Sequence, residues 1–260
     1  MRFAVVASRK DYAGINIIEA LAKINKNIPV FLVEEEIVYA RGIDELKADF
    51  IVFASKHQSE KGVKTLTVHP VGNWHKADCG GEDEKLCPCS AEMLKLFFVK
   101  LKENAEKYNL NFPVSMEITH HGPYIQKPCL FIEIGSNEEN WKDKKAGEII
   151  AKTISECISE CINPAKKRKQ SKFKCAIGIG GPHYCPNFNK IQAGSEFALA
   201  HIIPKYALPA TKQMIQRAID ATIEKVECAV VDWKGLGSAD DKSKTLKAVE
   251  ECGLEVVRVK

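Results

Sequence analysis

Histidine recurs in this chain just after apolar, β-type runs, and that is where open α/β sheets place their ligands. Five such segments are His69-Pro70-Val71-Gly72-Asn73-Trp74, Thr119-His120-His121-Gly122-Pro123, Glu133-Ile134-Gly135-Ser136, Gly178 to Tyr184, and His201-Ile202-Ile203-Pro204-Lys205-Tyr206. A catalytic zinc takes three protein ligands from His, Cys, Asp or Glu and keeps one position open for water. His120, His121, Glu133, His183 and His201 supply enough donors for such a site, although they come from scattered segments. Adjacent residues of a strand point to opposite faces, so His120 and His121 can share one cleft only if the Gly122-Pro123 turn bends the chain out of its strand. The alternative is one histidine in the core and one in solvent.

The Gly178 to Tyr184 segment is neither a Walker A loop nor a dinucleotide-binding fingerprint, because the lysine of the first and the glycine spacing of the second are missing. Its glycines let the backbone approach a ligand closely, and the N–H groups of Gly180 and Gly181 are candidate donors to an oxyanion. Upstream runs Lys166-Lys167-Arg168-Lys169, with Lys172 and Lys174 beyond it. Such a run is either a solvated loop or a contact to a phosphate backbone, which positions a nucleic acid without reading its sequence. Lys205 is a further candidate for phosphate. A structural zinc on His75, Cys79, Cys87 and Cys89 is disfavoured, since the spacing lacks a C-x-x-C pair and Pro88 separates two would-be ligands.

Alternating elements must position these segments. Apolar runs at 2–7, 29–33, 50–54, 66–68, 114–118, 128–134, 175–179, 226–231 and 255–259 predict strands. Helical spacing covers 14–24 and, with Ser90 as N-cap, 90–109; a capping box at Ser136 and Glu139 predicts another helix from about 137 to the region of 158. The pattern predicts one domain over residues 1–260, an α/β fold with a central mixed sheet covered on both faces. The 10 cysteines are too dilute in 260 residues for a disulfide scaffold, so reduced thiols are expected. No apolar run reaches the roughly 20 residues of a membrane span, and charge interrupts the N-terminal run at once, so a cytoplasmic protein without a membrane partner is expected. The net charge of +4 is modest and does not by itself call for nucleic acid. The oligomeric state is left open, with a monomer slightly favoured.

HPVGNW at 69–74, ITHHGP at 118–123, FIEIGSNEENW at 131–141, GIGGPHYCPNF at 178–188 and HIIPKYAL at 201–208 occur in that order. Together they resemble the archaeal and plant type of D-aminoacyl-tRNA deacylase. The resemblance implies a zinc-dependent hydrolase of phosphorylase/hydrolase-like α/β/α fold that cleaves the ester between a D-amino acid and the acceptor end of tRNA. On that reading His120, His121 and His183 hold the metal or activate water, Glu133 is a ligand or general base, and His201 is an additional candidate ligand. Gly180, Gly181 and Lys205 would contact the substrate. The rival readings are a metallopeptidase or nucleoside phosphorylase-like enzyme and a zinc-stabilised tRNA-binding protein without catalysis.

Overall fold

Side chains of alternate parity, apolar and buried on both faces of the first-half strands, decide how this protein is layered. The computed structural model describes residues 1–60, 62–163 and 173–259. Strands β1 (Phe3–Ser8), β2 (Val30–Val33), β3 (Phe50–Gln58), β4 (Thr65–His69), β5 (Val114–Met116) and β6 (Cys129–Ser136) form a six-stranded mixed sheet in the order β2-β1-β3-β6-β4-β5. Its pairings are parallel except β4 with β6, which is antiparallel. With a side-chain period of two, Val52, Ala54, Leu66, Val68, Leu130, Ile132 and Ile134 share one face. That face packs under helices α1 (Tyr12–Ile24), α2 (Ala91–Lys107) and, beyond the single turn α3 (Glu138–Trp141), α4 (Lys144–Ile162).

The residues of opposite parity face the other way. Ile51, Phe53, Cys129 and Phe131 make a second apolar cluster with Ile37, Ile43, Val71 and Ile125. This face is covered by the 3-10 turns Ile37–Tyr39 and Ile43–Glu45 and by loops. Loops approach a sheet closely and carry exposed backbone, which suits them to hold a site.

The second half adds β7 (Lys174–Gly181), α5 (Pro186–Gly194), β8 (Phe197–Pro204), α6 (Lys212–Asp220), β9 (Cys228–Asp232), α7 (Ala239–Glu251) and β10 (Glu255–Val259). Its strands form a separate parallel sheet ordered β10-β9-β7-β8. The central mixed sheet is as expected, while this second sheet is an addition. One apolar cluster nevertheless runs through both, from Phe3 and Leu130 to Ile177 and Ile203.

Two local readings change. The segment after Ser136 is not one helix: Ser136 ends β6, Asn137 caps α3, and Asp143 accepts from the Ala146 N–H to start α4. Residues 201–206, expected as a loop that follows a strand, begin instead inside the buried strand β8, which runs to Pro204. Ser90 caps α2 as predicted, accepting from the Met93 N–H at 3.2 Å.

Lys95 joins the two halves. Its buried ammonium, on α2, donates to the carbonyls of Gln192 (2.8 Å), Ser195 (3.1 Å) and Phe197 (2.9 Å), at the end of α5 and the start of β8. A cation suits a helix C-terminus, where carbonyls lack partners. Replacing Lys95 with Met leaves three carbonyls without their donor, so urea unfolding should show a stability loss of about 3 kcal/mol. A wild-type midpoint would show that α5 is held by other contacts.

Candidate active site

The second face of the first sheet carries polar residues as its strands approach their ends. Strand parity places Ser55 and His57 of β3, Thr67 and His69 of β4 and Glu133 of β6 on the side of Phe53 and Phe131, and the register sets Glu133 between Ser55 and Thr67. Just past β5, Glu117 joins them, fully buried. His69 stacks on Phe131 with ring centroids 5.2 Å apart, so an apolar shelf carries the polar centre.

Glu117 is the hub. Its Oε1 lies 3.1 Å from His57 Nδ1, and its Oε2 lies 3.4 Å from both His120 Nε2 and His183 Nε2. These are charge contacts rather than aligned hydrogen bonds, and neither oxygen has a hydrogen-bond partner among the described residues. Burial would raise the pKa of the Glu117 carboxyl, but His183, His57 and His69 outweigh it and hold the group below its ordinary range. Glu133 accepts from Thr67 at 3.3 Å and faces His69 Nε2 at 3.5 Å. On the far side of His57, Nε2 meets the Tyr184 hydroxyl at 2.8 Å.

Three imidazoles are held in one manner. Nδ1 of His69, His120 and His121 lies 3.0, 2.8 and 2.7 Å from the carbonyls of Pro70, Ile118 and Gly122. A carbonyl only accepts, so Nδ1 carries the proton and Nε2 keeps its lone pair free. These three histidines also have ligand atoms within 4.8 Å of one another, as do His57, Glu117 and His183, and His69, Glu117 and Glu133. Burial, together with the neighbouring imidazoles, lowers the pKa of His120 well below its usual value and that of His121 to about 3. Burial also acts to lower His69, but Glu133 and Glu117 more than offset it. Buried oxygens and imidazole nitrogens without hydrogen bonds, facing each other across a few ångströms, fit a divalent cation better than they fit a solvent-free core.

The loops that deliver these groups interlock. His121 has φ +44, a left-handed backbone that turns its ring beside that of His120, with centroids 4.3 Å apart. Both rings line one cleft of about 490 Å³ with Trp74, Lys76 and Tyr206. Next to them, a Cβ on Gly122 would lie 2.2 Å from the Gly81 nitrogen, so only glycine lets the two loops meet. Asn73 holds the other loop by donating to the Gly80 carbonyl at 2.9 Å.

His120, His121, His183 and Glu133, singled out from sequence, thus come together here. His183 is the imidazole most open to solvent, with its side chain 41% exposed. His201 stands apart. It is buried in β8, within hydrogen-bond distance of Thr119 (3.2 Å), and edge-on to Trp74, and burial keeps it neutral with a pKa of about 4. Its place is in the framework below the cleft, because it belongs to a strand and not to a loop. Gly180 and Gly181 have a packing reason of their own. The Gly180 carbonyl would lie 1.9 Å from a Cβ on Gly235, and a Cβ on Gly181 would lie 2.7 Å from the Phe188 ring. Lys205 is exposed, and Lys174 pairs with Glu196 at 3.5 Å. Lys166 to Lys169 and Lys172 lie outside the described residues. Cys87 and Cys89 are buried free thiols. Sequence reading missed His57 and Glu117, and it marked the segment that His69 opens without placing His69 among the ligands. Continuing the alternation of β3 past Ala54 finds His57, and a lone acid in the apolar stretch Ser115-Met116-Glu117-Ile118 marks Glu117.

Fold and site define an α/β protein with a carboxylate and imidazole centre, open to a cleft, of the kind that serves hydrolysis. The comparisons narrow this. A family model described as D-aminoacyl-tRNA deacylase matches residues 44–257. A D-aminoacyl-tRNA deacylase of Pyrococcus furiosus is 40% identical over 241 residues, covering 90% of this chain and 84% of the relative. One of Methanocaldococcus jannaschii is 35% identical over 266 residues and covers 100% of each. A crystal structure of a conserved protein of unknown function aligns with TM-score 0.87 and 30% identity, over 99% of this chain and 95% of the other. The chain belongs to the D-aminoacyl-tRNA deacylase family. No helix among the described residues is long and apolar enough to cross a membrane.

His201 offers a test of its framework role. Its pKa in the folded protein, about 4, lies below the ordinary 6.5. The folded state therefore declines a proton that the unfolded chain accepts, so stability present above pH 6.5 falls as pH drops through 6.5 towards 4. The effect is at most about 3 kcal/mol. A His201→Gln variant, titrated by urea unfolding from pH 7 to 4, should lose stability more gently than wild type. Parallel slopes would show that His201 already titrates normally.

Proposed function

We propose that this protein hydrolyses the ester that joins a D-amino acid to the 3′-terminal ribose of tRNA, with a zinc ion at the histidine and carboxylate cluster, as a step of translation quality control. The observation that supports the zinc reading is the shared posture of His69, His120 and His121, each with Nδ1 on a backbone carbonyl, which makes Nε2 the atom each ring can offer to a metal. These three, with Glu133 and Glu117 at hand, would hold the ion. A zinc ion held there would supply Lewis-acid chemistry, making water more acidic and polarising the ester carbonyl.

The remaining work falls to residues of this chain. His183 is the group best placed to carry a proton, being partly exposed, with Nε2 against the buried Glu117 carboxylate. From that position the ring can take a proton from attacking water and return it to the departing ribose oxygen. Tyr184 and Glu117 grip His57 from opposite nitrogens and fix its ring. Exposed Lys205, with Lys166 to Lys169, is the proposed contact to RNA phosphates. The peptidase and phosphorylase alternatives lose ground to the family membership.

Release of tyrosine from matched D- and L-tyrosyl-tRNA tests the reading. D-tyrosine alone should be released; a chelator should stop the reaction and added zinc should restore it. No release would sink the deacylase, and release unaffected by chelation would sink the zinc.

Substitutions separate the two kinds of histidine. His183→Ala should lower kcat by about 10²–10⁴-fold while keeping its zinc, measured by atomic emission. His120→Ala should lose both zinc and activity. Zinc loss from His183→Ala would move that residue into the ligand set.

A further inference from the structure

His121 lines two openings of very different size. One is the cleft of about 490 Å³; the other, on the side of Glu133, Asp11 and Ser55, is a pocket of about 60 Å³. The smaller holds about two waters, at roughly 30 Å³ each. The larger lies within the range of roughly 300–1,000 Å³ that accommodates nucleoside-sized ligands. The scissile ester is carried by the ribose of the terminal adenosine, so when its carbonyl is at the histidines the base is only one sugar away. Only the larger cleft has room for it.

The cleft wall offers a surface suited to a base. Tyr206 sits on the 3-10 turn Lys205–Ala207 that follows β8 and is 68% exposed as a residue. Trp74 lies buried in the same wall, fixed by its indole N–H donating to the Thr119 carbonyl at 3.1 Å. Exposed Lys76 lines the cleft together with Asp78, and exposed Lys205 precedes Tyr206 in the chain. Every tRNA ends in the same nucleotide, so the site needs to hold the base without reading it, and an aromatic platform does that.

We propose that Tyr206 is the stacking platform for the 3′-terminal adenine, which makes the large cleft the adenosine subsite of the enzyme. This rests on the deacylase reading. Stacking on the ring should contribute to substrate binding more than to the chemical step.

The test is steady-state hydrolysis of D-tyrosyl-tRNA by wild type, Tyr206→Ala and Tyr206→Phe, with adenosine 5′-monophosphate as inhibitor. Tyr206→Ala should raise KM by about tenfold and change kcat little, and Tyr206→Phe should retain a near-normal KM. The nucleotide should compete with substrate, with its inhibition constant rising in Tyr206→Ala in step with KM. A wild-type KM in Tyr206→Ala, a loss in Tyr206→Phe equal to that in Tyr206→Ala, or inhibition that is absent or insensitive to Tyr206 would overturn the subsite and leave the deacylase standing. No hydrolysis by the wild-type protein would overturn both.

Discussion

Glu117 is a carboxylate taken wholly out of water, and such a group persists only if positive charge or hydrogen-bond donors surround it. Here His57 and His183 face it with nitrogens able to donate, while the Nε2 of His120, whose proton sits on Nδ1, faces it with a lone pair. Each must arrive at the correct depth. The left-handed turn at His121, the glycine contact between Gly81 and Gly122, and the hydrogen bond from Tyr184 to His57 can all be understood as devices that bring imidazoles to one carboxylate and hold them there. A cation held at the same place would lower the cost further, because it would satisfy the oxygens of Glu117 and the Nε2 atoms of the neighbouring rings together.

Much of this arrangement is legible in the residues before any coordinates. The β-type runs of the first half predict the six strands, and Ser90 predicts where α2 begins. The histidine pair followed by Gly-Pro announces a turn that can bring both rings to one side. Parity says more than was read from it. Leu130, Ile132 and Ile134 face helices, so Phe131 and Glu133 must face away from them, and the same counting along β3 and β4 sends His57 and His69 to the side of Glu133.

What sequence reasoning could not reach has equally specific causes. Residues 197–204 contain Ala, Leu, Ile and Pro in a run that fits a buried strand or a loop equally well, and only the ladder with β7 makes it β8. That single difference moves His201 from a candidate ligand to a framework residue. The capping box at Ser136 and Glu139 fails because Ser136 is still paired in β6, so Asn137 and Asp143 take over as caps. Whether Glu117 is buried depends on loops far apart in sequence, and no local pattern encodes that.

The site also explains why two sheets are packed into one body. Thr119 follows Glu117 by two residues, and its hydroxyl accepts from the Ile202 N–H at 2.9 Å while its own N–H donates to the Ile202 carbonyl at 3.2 Å. The Ile118 N–H in turn donates to the His183 carbonyl at 3.1 Å. The loop that carries Glu117, His120 and His121 from the first sheet is therefore stitched by backbone bonds to the strand and loop of the second sheet that supply His183, Tyr184 and Tyr206. Neither half holds a complete centre. Glu117, Glu133 and the imidazoles of His57, His69, His120 and His121 come from the first, while His183, Tyr184 and the Tyr206 side of the cleft come from the second. A shift of one sheet against the other would pull His183 away from Glu117 and leave the carboxylate short of a partner, so the electrostatic need of the buried charge resists that motion. The chemistry and the docking of the two halves are in this sense one interaction.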